Sequence, residues 1–295
     1  MTHRSFVNPQ PPVPTCYRHP DRTTGLACTR CGRPACPQCL QPAAVGQHCA
    51  ECVAQGRTDI RPVQPTVGGP FATARRTPYV TYALIAINVA VFAVTASQAH
   101  SVTDNHLSRL FFDWVLAPQW VAQGQWIRVL GSGFLHYGPL HLVVNMFALY
   151  ILGRDTELVL GRSRFLAIYL VSLLGGSAAV MWLATDSATA GASGAIYGLF
   201  GAMTVILLRL RQSPVQMLVL IAINLLISVS LPGISLWGHL GGLVAGTLAA
   251  AGILFLPEWL RARTRDSIRW IGWGAVAGLA VLALALIGAG AAVLA

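Results

Sequence analysis

Residues 191–201 read Gly191-Ala192-Ser193-Gly194-Ala195-Ile196-Tyr197-Gly198-Leu199-Phe200-Gly201, within an apolar run that ends at Arg209. On a helix, Ser193, Tyr197 and Gly201 fall at i, i+4 and i+8 and share a face. The run 235–256 has the same character, with His239, Gly242 and Gly246 at i, i+3 and i+7. Small residues at such spacing let two membrane helices approach closely. Two glycine faces pressed together would bring Ser193 and His239 side by side. Polar groups inside spanning helices are costly and mark function, so this hydroxyl–imidazole pair is the feature around which the chain is read.

The composition places that pair in a bilayer. Of 295 residues, 55% are hydrophobic and 10% charged, where a soluble domain has about a quarter charged. A spanning helix needs about 20 mostly apolar residues, and seven candidates occur: 79–97, 140–153, 164–183, 191–209, 216–231, 235–256 and 270–294. The second is short but can be extended backwards through Phe134–Leu135. The stretch 98–139 is too polar to span. Its Phe111, Phe112, Trp114, Trp120 and Trp126 suit a membrane–water interface, so it is expected to lie on or partly in the outer leaflet.

All 20 basic residues are Arg. With a cytosolic N-terminus, nine Arg after the first span fall inside (154, 162, 164, 209, 211, 261, 263, 265 and 269) and two outside, Arg109 and Arg128. Positive charge stays inside, so this orientation is adopted. Ser193 then follows the outer loop near Asp186, and His239 follows the outer turn Leu231-Pro232-Gly233. Both helices run inward, which puts both side chains at similar depth. A hydroxyl within reach of an imidazole is the minimum for an activated serine nucleophile. Neither helix holds an Asp or Glu to orient the His, so the expectation is a dyad. An oxyanion needs donors; His141 and Asn145, at i and i+4 on the second helix, can supply them with the Ser193 backbone N–H. No metal or cofactor is required for this chemistry.

The first 76 residues are different. Met1 to Pro70 is polar and Pro-rich and has no apolar run of the kind that opens a secretory signal. Nine Arg against three acids (Asp21, Glu51, Asp59) make the segment before the first span net +6. Such charge suits anionic lipid head groups; nucleic-acid binding has nothing but charge in its favour. All seven Cys lie between Cys16 and Cys52, as Cys16-x2-His19, Cys28-x2-Cys31, Cys36-x2-Cys39 and Cys49-x2-Cys52. Eight ligands in four close pairs suit two tetrahedral zinc ions. The reducing cytosol favours metal over disulfides, and about 40 residues bury too little core to fold alone. The zinc is structural, since no open coordination position is implied. His48 is a spare ligand that could replace Cys49. The expected organisation is a disordered 1–15, a zinc module over 16–55, a linker over 56–76, a membrane core over 77–259, and an Arg-rich turn with a seventh spanning helix over 260–295.

Several motifs in order carry a family resemblance. They are Trp126-Ile-Arg128; His136-x4-His141-x3-Asn145; Gly153-x3-Glu157-x3-Gly161; the run 191–198; and His239-x2-Gly242-x3-Gly246. Over about 77–259 the chain resembles the rhomboid intramembrane proteases. The resemblance implies an all-α core of six helices with the long first loop in the outer leaflet, and a Ser193–His239 dyad. It further implies oxyanion donors at His141 and Asn145, and Tyr197 packed under the histidine. The extra helix resembles the six-plus-one arrangement of some members. It also implies substrates that are single-span membrane proteins with small residues at the cut and helix-weakening residues nearby. The cysteine segment resembles B-box zinc fingers. That implies alternating pairs, with Cys16, His19, Cys36 and Cys39 on one ion and Cys28, Cys31, Cys49 and Cys52 on the other.

Three function classes compete. The first is an endopeptidase cutting single-span proteins near their outer ends. The second is a catalytically dead relative that binds membrane proteins, against which the presence of both Ser193 and His239 counts. The third is a transporter, which paired half-repeats would mark; the sequence has none. The zinc module is expected to recruit or sense a cytosolic protein partner.

Overall fold

The computed structural model describes residues 12–43, 45–58, 77–231 and 233–295. The chain divides into two compact units, Met1–Pro70 and Phe71–Ala295. The proposed linker lies almost wholly outside the described residues, as does most of 1–15.

The first unit is built from two small antiparallel hairpins. Strand β1 (Thr15–Cys16) pairs with β2 (His19–Thr23), and β3 (Leu40–Pro42) with β4 (Gln47–Cys49), which leads into helix α1 (Ala50–Thr58). Its buried cluster is Cys16, Cys28, Ala35, Cys36, Cys39, Leu40, Cys49 and Cys52. Six of these eight are cysteines, so little apolar area holds the unit together and its ligand side chains occupy the place of a core.

The second unit is helical. The first long helix, α2 (Tyr79–Ala99), is followed by short surface helices α3 (Arg109–Trp114), α4 (Pro118–Ala122) and α5 (Ile127–Gly131). Arg128 holds this segment together. It is 2% exposed, donates from Nη1 to the carbonyls of Phe112 (2.6 Å) and Val115 (2.9 Å), and lies 4.1 Å from the centre of the Trp120 ring. A residue read from sequence as an outer-face charge is therefore an internal staple. Phe112 and Trp126 are exposed as interface anchors must be, whereas Phe111 is buried with Trp114 and Trp120 packed beside it.

The second predicted span differs from expectation. The chain bends by 89° between Ile127–Phe134 and Gly138–Leu160. Gly138 takes φ +73° and Pro139 occupies the first turn, so the helix cannot run backwards through Leu135. Its length comes from the other side. Helix α6 (Gly138–Ala148) passes through a π-turn (Leu149–Gly153) into α7 (Arg154–Leu160). There the buried Glu157 accepts from the backbone N–H groups of Val80 (3.1 Å) and Thr81 (2.8 Å) and from the Thr81 hydroxyl (2.8 Å). This carboxylate satisfies the open N–H groups at the start of α2.

Helices α8 (Arg162–Leu183), α9 (Ser193–Arg209), α10 (Val215–Ser230) and α11 (Leu236–Leu254) follow, then the short α12 (Leu256–Trp259) and the long α13 (Arg265–Leu294). Among the described residues, four helices are long and apolar enough to cross a membrane (α2, α8, α11, α13), and the bent pair, taken as one span, makes a fifth. Of the seven expected spans, α9 and α10 fall short of that length, at 17 and 16 residues. For α9 the reason is its place. Ten of its residues are buried, so protein rather than lipid surrounds it. The chain is a multi-pass α-helical membrane protein by this architecture.

Glycines set how α8, α9 and α11 meet. A Cβ on Gly242 would lie 2.7 Å from the Gly194 carbonyl carbon, and one on Gly246 would overlap the Gly198 backbone. Only hydrogen fits at either position, as the small-residue spacing predicts. Against this trio α13 packs through Ala283, Ile287 and Ala291 on Val180 and Met181, and Trp182 Nε1 donates to the Leu286 carbonyl at 2.8 Å.

Candidate active site

The close α9–α11 contact places Ser193, the first residue of α9, against His239 near the start of α11. Ser193 Oγ and His239 Nε2 are 2.8 Å apart. His239 is 6% exposed. The Tyr197 ring, one turn below Ser193, stacks on the imidazole with centroids 4.0 Å apart and planes 11° apart. The pair opens on a pocket whose walls include Ser132, Gly133, Gly176, Thr189, Gly191 and Ser235.

The approach to Ser193 is constrained by backbone. Thr189 exchanges both backbone hydrogen bonds with Leu116 (2.9 and 3.0 Å), and the Gly191 N–H donates to Ser132 O at 2.9 Å. Gly191 takes φ +134°, and a Cβ there would stand 2.9 Å from His141 Cε1 and 3.5 Å from Ser193 Oγ. The narrow space that a side chain at Gly191 would fill is thus flanked by the hydroxyl and the second imidazole. His141 Nδ1 accepts the Tyr137 N–H at 3.2 Å, so its ring proton is on Nε2, the nitrogen beside Gly191. Asn145, 5% exposed, donates from Nδ2 to the His141 carbonyl at 2.9 Å, which leaves one amide hydrogen uncommitted in that bond. No side chain caps the start of α9; its first-turn N–H groups, including that of Ser193, lack helical acceptors.

The fold gathers Ser193, His239, Tyr197 and His141 at one place, and ties Asn145 to it through the His141 backbone. Sequence reasoning missed Ser228. Its Oγ lies 2.7 Å from His239 Nδ1 and 3.0 Å from the Tyr197 hydroxyl, and donates to the Asn224 carbonyl at 2.8 Å. The signal was available: Asn224 and Ser228 are polar residues at i, i+4 in an apolar run. A hydroxyl, and not a carboxylate, is the group that faces His239 Nδ1.

In the first unit the eight ligands form two sets, Cys16, His19, Cys36, Cys39 and Cys28, Cys31, Cys49, Cys52, each with its donor atoms within 4.8 Å of one another. This is the alternation that the B-box resemblance implied. His48 lies outside both sets, and Cys49 is within one. His19 Nδ1 is 3.8, 3.5 and 3.4 Å from the sulfurs of Cys16, Cys36 and Cys39, and the Cys31 and Cys49 sulfurs are 3.8 Å apart. Tetrahedral zinc at its usual bond lengths sets these separations at about 3.6 Å and about 3.8 Å respectively. Both sets therefore fit a metal ion of that size. Arg33 pairs with Glu51 and, beside Cys31, holds that thiol below the ordinary cysteine value.

Residues 123–255 match the Rhomboid domain family model. Over 186 residues the chain is 35% identical to rhomboid protease GluP of Bacillus subtilis, covering 61% of this chain and 36% of that protein. It is 38% identical over 147 residues to the mitochondrial RHOMBOID-like protein 6 of Arabidopsis thaliana, covering 47% of each. It thus spans between about a third and a half of the length of these two relatives. A third relative, putative rhomboid protease YdcA of Bacillus subtilis, is 32% identical over 58% of this chain and 86% of its own length. With that coverage, and with the motif residues gathered as described, the chain belongs to the rhomboid family.

Proposed function

We propose that this protein is an intramembrane serine endopeptidase that cleaves single-span membrane proteins near the outer face. The observation that carries the reading is the 2.8 Å contact between Ser193 Oγ and His239 Nε2. Ser193 gives its proton to His239 Nε2 as Oγ attacks the scissile carbonyl carbon. The oxyanion forms beside Gly191 next to His141 Nε2–H, and the Ser193 backbone N–H and the Asn145 amide are its further donors in this reading. His239 Nε2–H then protonates the leaving amine, and the peptide C–N bond breaks. Water, deprotonated by the same nitrogen, hydrolyses the acyl-enzyme and restores Ser193. A spanning helix has every backbone group paired internally, so the substrate must unwind locally before attack. That requirement favours substrates with small and helix-weakening residues at the cut.

The orientation proposed has a cytosolic N-terminus and an active site open to the outer side. Zinc is the metal proposed for the two Cys/His sets, and its role is to fold the module. The module recruits a cytosolic protein partner, with its basic surface on anionic lipid rather than on nucleic acid. The second reading, a proteolytically inactive scaffold, is favoured only by relatives named as RHOMBOID-like without a stated activity.

The deciding experiment is cleavage of a single-span reporter by purified protein in detergent. Wild type should cut, and Ser193→Ala and His239→Ala should be inert while expressing and inserting normally. Wild-type cleavage by Ser193→Ala defeats the dyad assignment, and an inert wild type with normal reporter binding establishes the scaffold.

A further inference from the structure

We propose that Ser228 is a positioning residue for the reaction: it accepts the Nδ1–H of His239 and so holds the imidazole in the tautomer whose Nε2 can take the Ser193 proton. The inference rests on the protease reading above and adds a residue from a third helix to it.

The direction of each hydrogen bond follows from what the atoms can do. Ser228 Oγ, in a residue 5% exposed, has three neighbours: Asn224 O at 2.8 Å, His239 Nδ1 at 2.7 Å and the Tyr197 hydroxyl at 3.0 Å. A hydroxyl has one hydrogen and two lone pairs. The Asn224 carbonyl can only accept, so it takes the Ser228 hydrogen. Both Ser228 lone pairs then accept, one from Tyr197 O–H and one from His239 Nδ1–H. His239 Nε2 is left without a proton, facing Ser193 O–H at 2.8 Å. In this arrangement each of the four short contacts has one hydrogen between its two atoms. The opposite tautomer would turn the Ser228 hydrogen towards Nδ1 and leave Ser228 Oγ and Asn224 O, 2.8 Å apart, facing each other with no hydrogen between them. It would also point Nε2–H at Ser193, where it cannot act as a base. When His239 carries the transferred proton, Nδ1–H still has Ser228 as its acceptor, so nothing behind the ring need move. Helix α10 buries only Ile221 and Ser228, so the one polar side chain it turns inward is the one on the histidine.

Two measurements test this. The first uses the wild-type protein in detergent, with ¹⁵N-labelled histidine rings and the His239 signals identified by their loss in His239→Ala. Nδ1 should be the protonated nitrogen and Nε2 the bare one; a protonated Nε2 in the neutral ring overturns the proposal. The second compares turnover of the reporter by Ser228→Ala and Ser228→Thr. Ser228→Ala should lose about tenfold to a hundredfold in kcat, the range for a hydrogen bond to a group that becomes charged, with KM little changed. Thr keeps a hydroxyl that can bond the same Asn224 carbonyl and should recover most of the rate. Wild-type kcat in Ser228→Ala, or a loss that Thr does not recover in folded protein, overturns the assignment. Failure of the protease reading shows separately, as a wild type that binds the reporter without cutting it, and failure of the dyad as cleavage that survives Ser193→Ala.

Discussion

Replacing Gly242 by Ala should silence the enzyme without touching either reacting side chain. The new Cβ would lie 2.7 Å from the Gly194 carbonyl carbon and overlap its oxygen. Carbon–carbon contacts are comfortable at about 3.5 Å and beyond, so α9 and α11 must part by at least about 0.8 Å. Gly194 adjoins Ser193, and Gly242 lies three residues after His239, so the shift falls on the dyad. The 2.8 Å contact would stretch to about 3.6 Å, beyond hydrogen-bond range. Overpacking of this kind costs about 1–3 kcal/mol of stability, and about 1 Å of misplacement costs about a hundredfold in rate. Reporter cleavage in detergent, with thermal unfolding followed by helical circular dichroism, measures both. Gly278→Ala on α13, where no atom lies within 4 Å of the added carbon, is the control and should leave activity intact. A Gly242→Ala protein that folds with wild-type kcat would refute the claim that glycine-enforced helix contact sets the dyad distance.

Asn145→Ala should lower kcat far more than it raises KM, because an oxyanion donor acts in the transition state. Removing one such donor costs about 2.7–4 kcal/mol, and steady-state kinetics on the reporter separate the two parameters. Glu157→Ala should destabilise the membrane unit, since two backbone N–H groups and a hydroxyl lose their acceptor. At about 1–3 kcal/mol for each buried group left unpaired, a lower midpoint of thermal unfolding is expected even where some activity survives. Metal analysis and native mass spectrometry of the whole chain should find two zinc ions. Cys28→Ser with Cys31→Ser should leave one, and two ions retained would break the pairing of those cysteines with Cys49 and Cys52.

The sequence by itself was enough for much of this molecule, because the interactions that specify those parts are short in range or statistical in kind. Apolar runs and Arg placement follow from transfer to a bilayer, and they located the helices and favoured one orientation. The Cys-x2-Cys and Cys-x2-His spacings follow from the reach of two side chains to one ion, and they marked the eight candidate ligands that the fold gathers into two sets. Glycines on the faces of Ser193 and His239 signalled the α9–α11 contact. Tertiary structure decided what depends on the three-dimensional path between distant residues. Which of the Cys and His pairs come together is decided by the folded path of the module, and spacing alone leaves the partition open. The burial of Arg128 depends on carbonyls at Phe112 and Val115 that only the folded surface segment presents. Ser228 is the clearest case. Eleven residues and a turn separate it from His239, and no pattern within α10 says that its one inward hydroxyl meets that imidazole. The meeting is made by the packing of α10 against α9 and α11, and a hydrogen bond requires the position of both partners to within a fraction of an ångström.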